Sequence, residues 1–211
     1  MDLKERRENM QSFFDRKADG YDDVHVNFLQ SKNAITDALD EGTKMVLDLG
    51  IGTGLELIRL FERFPTAKVT GIDVSPKMLE QLERLPFYDS ITAVCADFFE
   101  VEFGQGLDAV ISTSALHHFT PQHKAVLYKK VYDALRPGGL FINADKTVPD
   151  DAEEEKWFKI YEEEKELRAH IDTPLTPRHE EQLLRGAGFA GISCAPLNNP
   201  GYYLTSARKP E

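Results

Sequence analysis

Residues 46–56 read V-L-D-L-G-I-G-T-G-L-E, and this stretch decides the fold. An apolar run ends in glycines at three alternate positions, and a helical pattern follows from Leu55. A strand that turns through glycines into a helix lets backbone N–H groups approach a ligand closely, because no Cβ atom stands in the way. The stretch therefore predicts a ligand site at the turn, with the carboxylate of Asp48 beside it.

From about residue 45 onward, segments with a strand pattern alternate along the chain with segments that have a helical pattern. Strands are predicted at 45–49, 68–72, 91–96, 109–113 and 140–144, with helices between them at 55–64, 76–85 and 122–135. Ser-Pro and Thr-Pro pairs mark the starts of two of these helices. The alternation favours a doubly wound α/β sheet of mostly parallel strands.

The chain, 1–211, is predicted to form a single domain in four parts. An N-terminal helical cap (1–42) precedes the α/β core (43–147). A Glu-rich helical insertion (148–175) carries an apolar stripe and is expected to act as a lid. A helix and two strand-like runs that can pair as an antiparallel hairpin complete the domain (176–211).

The composition predicts a cytoplasmic globular protein. No apolar run reaches membrane-spanning length, and the charged N-terminus lacks the apolar core of a signal peptide. The formal net charge of −11 repels nucleic acid and anionic lipid, so neither is expected as a partner. Cys95 and Cys194 lie in apolar runs and are expected to be buried, reduced thiols, and no metal site is predicted. We expect a monomer or a homodimer.

Polar residues follow the predicted strands, and the carboxyl ends of parallel strands meet at one edge of a sheet. Asp73 lies about twenty positions after the glycine turn, the offset at which an acidic residue meets a ribose. Asp97, followed by Phe98, suits an adenine ring. His117 and His118 follow the fourth predicted strand. Their imidazoles are candidate general bases for a substrate group that must lose a proton during the reaction.

The spacing of the glycines narrows the choice of ligand. A dinucleotide fingerprint needs a glycine three residues after Gly52, where the chain has Leu55. A phosphate-binding P-loop needs a lysine after the glycines, and none follows. A zwitterionic amino-acid tail fits the turn better than a pyrophosphate does.

At this point the chain resembles the class I S-adenosylmethionine-dependent methyltransferases. The matching segments are L-D-L-G-I-G-T-G (47–54), G-I-D-V-S-P-K-M-L (71–79), A-D-F (96–98), D-A-V-I-S (108–112) with L-H-H-F (116–119), and L-R-P-G-G-L (135–140). The resemblance implies a Rossmann-like, seven-stranded sheet with an antiparallel last strand, and S-adenosylmethionine as the cofactor.

The resemblance also implies roles for particular residues. Gly50, Gly52 and Gly54 would pack against the methionine part of the cofactor, Asp73 would hold the ribose, and Asp97 and Phe98 the adenine. The remaining implied contacts are Tyr21 folded over the cofactor, Val74 and Met78 as apolar neighbours, the backbone near Thr113, and Asp48 beside the turn.

The implied reaction is methyl transfer to a small-molecule acceptor, in which proximity, alignment and exclusion of water can suffice. Three alternatives stay open. An enzyme that makes a carboxylated form of the cofactor would need a cation near the sulfonium, for which Arg16, Arg168 and Arg178 are candidates. A nicotinamide-dependent oxidoreductase is disfavoured by the glycine spacing. A non-catalytic cofactor-binding module would bind without turnover.

Overall fold

A seven-stranded sheet forms the centre of the molecule. The computed structural model describes residues 3–22, 29–167 and 170–211. The strands are β1 (Met45–Leu49), β2 (Lys68–Asp73), β3 (Ile91–Cys95), β4 (Leu107–Thr113), β5 (Leu135–Lys146), β6 (Ala190–Pro196) and β7 (Tyr202–Arg208). The helices are α1 (Leu3–Asp15), α2 (Leu29–Ala38), α3 (Leu57–Arg63), α4 (Pro76–Leu82), α5 (Pro121–Ala134), α6 (Asp151–Glu164) and α7 (Pro177–Ala187).

The order of the strands confirms the doubly wound sheet that the sequence predicts. It runs β3-β2-β1-β4-β5-β7-β6, in which the first five strands are parallel. The last strand, β7, is antiparallel to both of its neighbours and forms a hairpin with β6. The strand order reverses between β1 and β4, and this is the place where open α/β sheets bind ligands.

The central strands are buried on both faces, which explains their nearly continuous apolar runs. Leu47, Leu49 and Phe141 belong to a core on one face, where Leu127 of α5 packs. Val46 belongs to a second core on the opposite face, together with residues of α2 and α3. Helices cover both faces of the sheet. They do not cover the edge formed by the carboxyl ends of the strands, so a ligand can bind there.

A Ser-Pro or Thr-Pro pair starts three of the helices, with the hydroxyl residue as the cap. Ser75 accepts a hydrogen bond from the Met78 amide at 3.2 Å, and a proline follows it at the first helical position. Thr120 and Thr176 cap α5 and α7 in the same way. The two caps predicted from Ser-Pro and Thr-Pro pairs are confirmed, and each helix start lies where the chain leaves the sheet edge.

Strand β5 begins earlier than its sequence predicts. Its pairing with β4 moves from Leu107–Leu135 directly to Ala109–Leu140, so the residues between bulge out of the ladder. Gly138 lies in this bulge with φ +73°, a conformation that favours glycine. The helix predicted at 122–135 does end here, at Ala134, and the strand begins directly after it rather than at residue 140.

Two further expectations need correction or limits. Cys95 is exposed at the end of β3, so the prediction of a buried thiol is wrong there, while Cys194 is half-buried and neither forms a disulfide. The N-terminal cap predicted at 1–42 includes residues outside the described ranges. In the part of the chain that the structure describes, no helix has the length and apolar character needed to cross a bilayer.

Candidate functional site

A cavity of about 650 Å³ lies at the carboxyl ends of the parallel strands. The glycine turn after β1 and the carboxylate of Asp73 form one side of it, and Asp97 with Phe98 forms another. Residues that follow β4 close the far side.

The glycine turn brings the main chain up to the cavity. Gly50 and Gly52 line the cavity with φ values of +80° and +52°. A Cβ atom on Gly50 would stand 2.6 Å from the Cβ of Ala115, so no larger residue fits. Gly54 does not line the cavity; a Cβ there would stand 2.5 Å from a side-chain carbon of Leu82. The turn thus leaves a cradle of bare backbone at its first two glycines and packs tightly at the third.

Asp73 lies at the end of β2 with its carboxylate in the cavity wall. Its Oδ2 accepts a hydrogen bond from the Gly52 amide at 2.9 Å, and its Oδ1 accepts one from the Ser75 amide at 2.8 Å. Burial raises the pKa of Asp73 to about 6, against the effect of these two hydrogen bonds. Each carboxylate oxygen has a second lone pair, so the group can still accept from a ligand hydroxyl.

The opposite wall combines one carboxylate with apolar side chains. Asp97 is buried, and its Oδ1 accepts from the Phe99 amide at 3.0 Å. Phe98 packs against Phe119 with 5.6 Å between ring centroids. Val74 and Met78 also line this part of the cavity. Apolar side chains together with a carboxylate suit a heteroaromatic ring that carries an amino group.

The loop after β3 is held in place by a lysine of α5. The ammonium of Lys130 donates to the carbonyl of Phe98 at 2.7 Å and also to that of Val101. Burial lowers the pKa of Lys130. These bonds fix the backbone on which Asp97 and Phe98 stand.

The N-terminal segment covers the cavity and is attached at two points. Met10, Phe14 and Tyr21 all line the cavity from this side. The hydroxyl of Ser75 donates to Asp15 at 2.6 Å. The hydroxyl of Thr53, within the glycine turn, donates to Asp22 at 2.6 Å. Both hydrogen bonds therefore tie the N-terminal segment to loops whose residues line the cavity.

Asp48 lies behind the glycine turn and does not line the cavity. It is fully buried near a buried ion pair between Lys32 and Glu56, whose nitrogen and oxygen are 2.7 Å apart. Burial and the neighbouring Glu56 raise the pKa of Asp48 well above its usual range. The structure thus places this carboxyl group under the turn as part of a buried polar cluster.

Thr113 and Ser114 form the far side of the cavity at the end of β4. Ser114 has φ +53°, the left-handed region that few non-glycine residues adopt. Its amide donates to the carbonyl of Ala144 at 3.0 Å, which ties the strained residue to β5. Such strain at a cavity wall is common where backbone groups are held toward a ligand.

The two histidines predicted as candidate bases have different surroundings. His118 lines the cavity, whereas His117 does not. The Nδ1 of His117 lies 2.5 Å from Oδ1 of Asp145, a buried residue near the end of β5. Burial, together with the neighbouring His117, lowers the pKa of His118 to about 3. His118 is therefore a neutral imidazole at neutral pH.

The segment 148–175 brings an aspartate to these histidines. Oδ1 of Asp172 lies 3.3 Å from Nδ1 of His118 and 3.6 Å from Nε2 of His117. Its Oδ2 forms an ion pair with Lys146 at 2.7 Å. The predicted lid insertion thus contributes a charged group beside the cavity.

Comparisons with known proteins identify the scaffold. A family model described as a methyltransferase domain matches residues 46–139. Malonyl-[acyl-carrier protein] O-methyltransferase of Acetivibrio thermocellus is 31% identical over 134 residues, which are 62% of this chain and 47% of that protein. Carboxy-S-adenosyl-L-methionine synthase of Campylobacter fetus subsp. fetus is 26% identical over 208 residues, 88% of this chain and 86% of that protein.

The fold of a solved complex agrees with these matches. DhpI in complex with SAH superposes with a TM-score of 0.72 and 21% identity, over 97% of each chain. The chain belongs to the class I S-adenosylmethionine-dependent methyltransferases. The resemblance seen in the sequence is confirmed at the level of family and fold. The chain spans about half or less of the length of the malonyl-[acyl-carrier protein] O-methyltransferases that it matches.

The cavity of this methyltransferase fits the cofactor of its family. Gly50 and Gly52 offer bare backbone with positive φ values, a Cβ on Gly50 would collide with Ala115, and Asp73 keeps lone pairs for hydroxyl groups. Of the eleven residues predicted to bind the cofactor, nine line the cavity, whereas Asp48 and Gly54 do not. These assignments to individual cofactor atoms stay predictions.

Several residues of the site were missed by the sequence analysis. Asp145 comes near the end of β5 just as Asp73 comes at the end of β2, so the strand-end rule could have found it. Asp172 and Asp15 carry no local signal. Each reaches its partner across a long sequence separation, and no periodicity or spacing marks such a contact.

Proposed function

We propose that this methyltransferase transfers the methyl group of S-adenosylmethionine to a small-molecule acceptor. The observation that carries the proposal is the single cavity that joins a bare-backbone cradle, two buried carboxylates and an apolar cover. The cavity is bounded by Met10 and Phe14 of α1, which restricts the space for a macromolecular acceptor. The chain's net charge of −11 also disfavours a nucleic-acid acceptor.

In this proposal the residues of the chain bind the cofactor and orient the acceptor towards it. Asp73 would accept hydrogen bonds from the ribose hydroxyls, and the backbone at Gly50 and Gly52 would hold the amino-acid tail. Asp97 would accept from the adenine amino group while Phe98 would pack on the ring. When bound, the cofactor supplies a methyl group on a positively charged sulfur, which is a good leaving group. Met10 and Phe14 exclude water and align the acceptor, which can supply most of the acceleration.

His118 is the residue proposed to hydrogen-bond to the acceptor, since a pKa of about 3 makes it too weak a base to take the acceptor's proton. It lines the cavity and is neutral at neutral pH because burial lowers its pKa. His117 is held by Asp145 outside the cavity lining, so it acts on the acceptor only through its neighbour. The imidazole nitrogen of His118 that does not face Asp172 would hydrogen-bond to a polar group of the acceptor.

Synthesis of a carboxylated cofactor is a second candidate, favoured by the carboxy-S-adenosyl-L-methionine synthase relative, which matches over 88% of the chain. Such a reaction calls for a cation at the cavity. Among the residues that the structure describes, the cavity lining contains no lysine or arginine. Arg16 and Arg178 are exposed away from it, and Arg168 lies outside the described residues. Methyl transfer is therefore the function that the described geometry favours.

Mass spectrometry of complete reactions separates these functions. The purified chain is incubated with S-adenosylmethionine and a panel of hydroxyl, amine and carboxylate metabolites. We expect S-adenosylhomocysteine together with one acceptor heavier by a methyl group. A carboxylated cofactor would contradict methyl transfer and support the second candidate. Tight cofactor binding in calorimetry without turnover of any acceptor would contradict both and indicate a binding module.

A further inference from the structure

A group of metal-binding side chains lies beside the cavity. His117 and His118 come from the short helix after β4, and Asp172 comes from segment 148–175. One ligand atom from each of the three lies within 4.8 Å of the others. Both histidines are buried, and the aspartate is mostly shielded from solvent. We infer that these three side chains form a binding site for a divalent transition-metal ion of the Zn²⁺ type.

The distances fit an ion better than they fit direct contacts. Oδ1 of Asp172 lies 3.3 Å from Nδ1 of His118 and 3.6 Å from Nε2 of His117. A tetrahedral Zn²⁺ ion has bonds of about 2.0–2.1 Å to nitrogen and oxygen, which separates two of its ligand atoms by roughly 3.3 Å. The two distances from Asp172 to the histidines thus match those between ligands of one ion, and the two histidine nitrogens lie within 4.8 Å of each other.

Two of the ligand atoms are buried without a well-formed hydrogen bond among the described residues. They are Nδ1 of His118 and Oδ1 of Asp172, which lie 3.3 Å from each other. A buried polar atom without a partner costs about 1–3 kcal/mol. An ion held between them would satisfy both atoms at once.

Asp145 orients the first histidine for this role. Its Oδ1 lies 2.5 Å from Nδ1 of His117, and its Oδ2 accepts from the backbone amides of Leu116 and His117 at 2.9 Å. With Nδ1 donating to this carboxylate, the lone pair of His117 is on Nε2, the atom that faces Asp172. A carboxylate behind a histidine ligand is the usual outer support of a metal site.

Other charged and titratable groups around the cluster leave one face for the ion. The ammonium of Lys146 binds Oδ2 of Asp172 at 2.7 Å, so it occupies the oxygen that does not face the histidines. Nε2 of His170 lies 3.5 Å from Oδ1, and its ring stacks on Phe13 of α1 at 4.1 Å. A second carboxylate, Asp145, balances the positive charge of the lysine.

The ligand set selects the class of metal. Neutral imidazole nitrogens favour Zn²⁺, Fe²⁺, Co²⁺ or Ni²⁺ over Mg²⁺ and Ca²⁺, which prefer all-oxygen sites. Three protein ligands leave at least one coordination position open. Because His118 also lines the cavity, an oxygen of the acceptor can take that position, and this role rests on the proposed function. Binding of the ion itself does not depend on methyl transfer.

Metal titration of the chelator-treated full chain tests the inference. We expect calorimetry to show one equivalent of Zn²⁺ bound, and Co²⁺ to give a visible absorption band in the same stoichiometry. Asp172→Asn and His118→Ala should each weaken Zn²⁺ binding at least tenfold. Asp145→Asn should weaken it about 10–100-fold through loss of the outer support. Mg²⁺ should not compete.

The matched control is His179→Ala. This histidine also pairs with a carboxylate, Glu154 at 2.6 Å, but it lies in α7 away from the cluster. Its variant should bind Zn²⁺ like the wild type. Melting curves and S-adenosylmethionine binding of each variant verify that it folds. The inference is overturned if the wild type takes up neither ion, or if Asp172→Asn binds Zn²⁺ with unchanged affinity. A metal-binding chain that methylates nothing would leave this site standing and contradict the proposed function.

Discussion

At the scale of single residues, Asp73 joins two loops as well as facing the cavity. Its two oxygens accept from amides that follow different strands, Gly52 after β1 and Ser75 after β2. The carboxyl group therefore fixes the relative position of the two turns that surround the ligand. Because it is buried, its affinity for protons is raised into the range of mildly acidic solutions, and its pKa is about 6.

Cofactor binding should weaken in mild acid because of Asp73. The ionised carboxylate accepts hydroxyl hydrogen bonds better than the neutral acid does, and the ionised form is lost as the pH falls through about 6. From this pKa we expect the dissociation constant of S-adenosylmethionine to rise about tenfold between pH 7 and pH 5. Calorimetry at both pH values measures it.

Asp73→Asn is the control for this pH dependence. The amide does not titrate, so the variant should bind weakly with a dissociation constant that changes little between pH 7 and pH 5. An equal tenfold change in the variant would assign the dependence to another group.

At the scale of elements, α1 acts as a cover that is attached near its end. Asp15 accepts from Ser75, which also caps α4, and Asp22 accepts from Thr53 in the glycine turn. Phe13 on the same helix stacks on His170. The N-terminal segment therefore contacts the turn after β1, the turn after β2 and segment 148–175.

Removing one attachment should loosen the cover without unfolding the core. For Asp15→Ala we expect S-adenosylmethionine to bind about 2–10-fold more weakly, since one hydrogen bond is worth about 0.5–1.5 kcal/mol. Amide hydrogen exchange along α1 should speed up while exchange in the sheet stays unchanged. Asp19→Ala, an exposed change on the same segment, is the control and should bind like the wild type. Equal affinities for the two variants would contradict the role of the attachment.

At the scale of the whole molecule, a buried ion pair joins two helices on one face of the sheet. Lys124 of α5 pairs with Glu180 of α7, which also accepts from the hydroxyl of Tyr128 at 2.5 Å. Both charged side chains are almost fully buried. Helix α7 leads into the β6–β7 hairpin, so this pair helps hold the antiparallel end of the sheet to its parallel part.

Breaking the pair on one side should cost much stability. Lys124→Met leaves Glu180 as a buried charge without its cation, and we expect the free energy of unfolding to fall by about 3–5 kcal/mol. The double variant Lys124→Met/Glu180→Gln removes both charges and should recover part of that loss. Urea unfolding of the three proteins measures the difference. A single variant within 1 kcal/mol of the wild type would contradict the expectation.

Short-range sequence patterns predict the strands and helices of the fold and the part of the site that is expected to hold the cofactor. Apolar runs, cap residues and the glycine spacing depend on neighbouring residues, so the strands, helix starts and Asp73 could be predicted from sequence. The contact between His118 and Asp172 could not, because it arises only when segment 148–175 folds back over the sheet edge. The exposure of Cys95 and the bulge at Gly138 likewise depend on how strands end and pair, which apolar runs alone do not specify.

The base of segment 148–175 has a consequence for how this scaffold can change. The amide of Val148 donates to the carbonyl of Leu175 at 3.2 Å, so the segment leaves and rejoins the core at adjacent points. An excursion closed in this way can be lengthened, shortened or exchanged without moving the seven strands. The segment that places Asp172 beside the histidines can then differ in length and sequence while the sheet and the cavity at its edge stay the same.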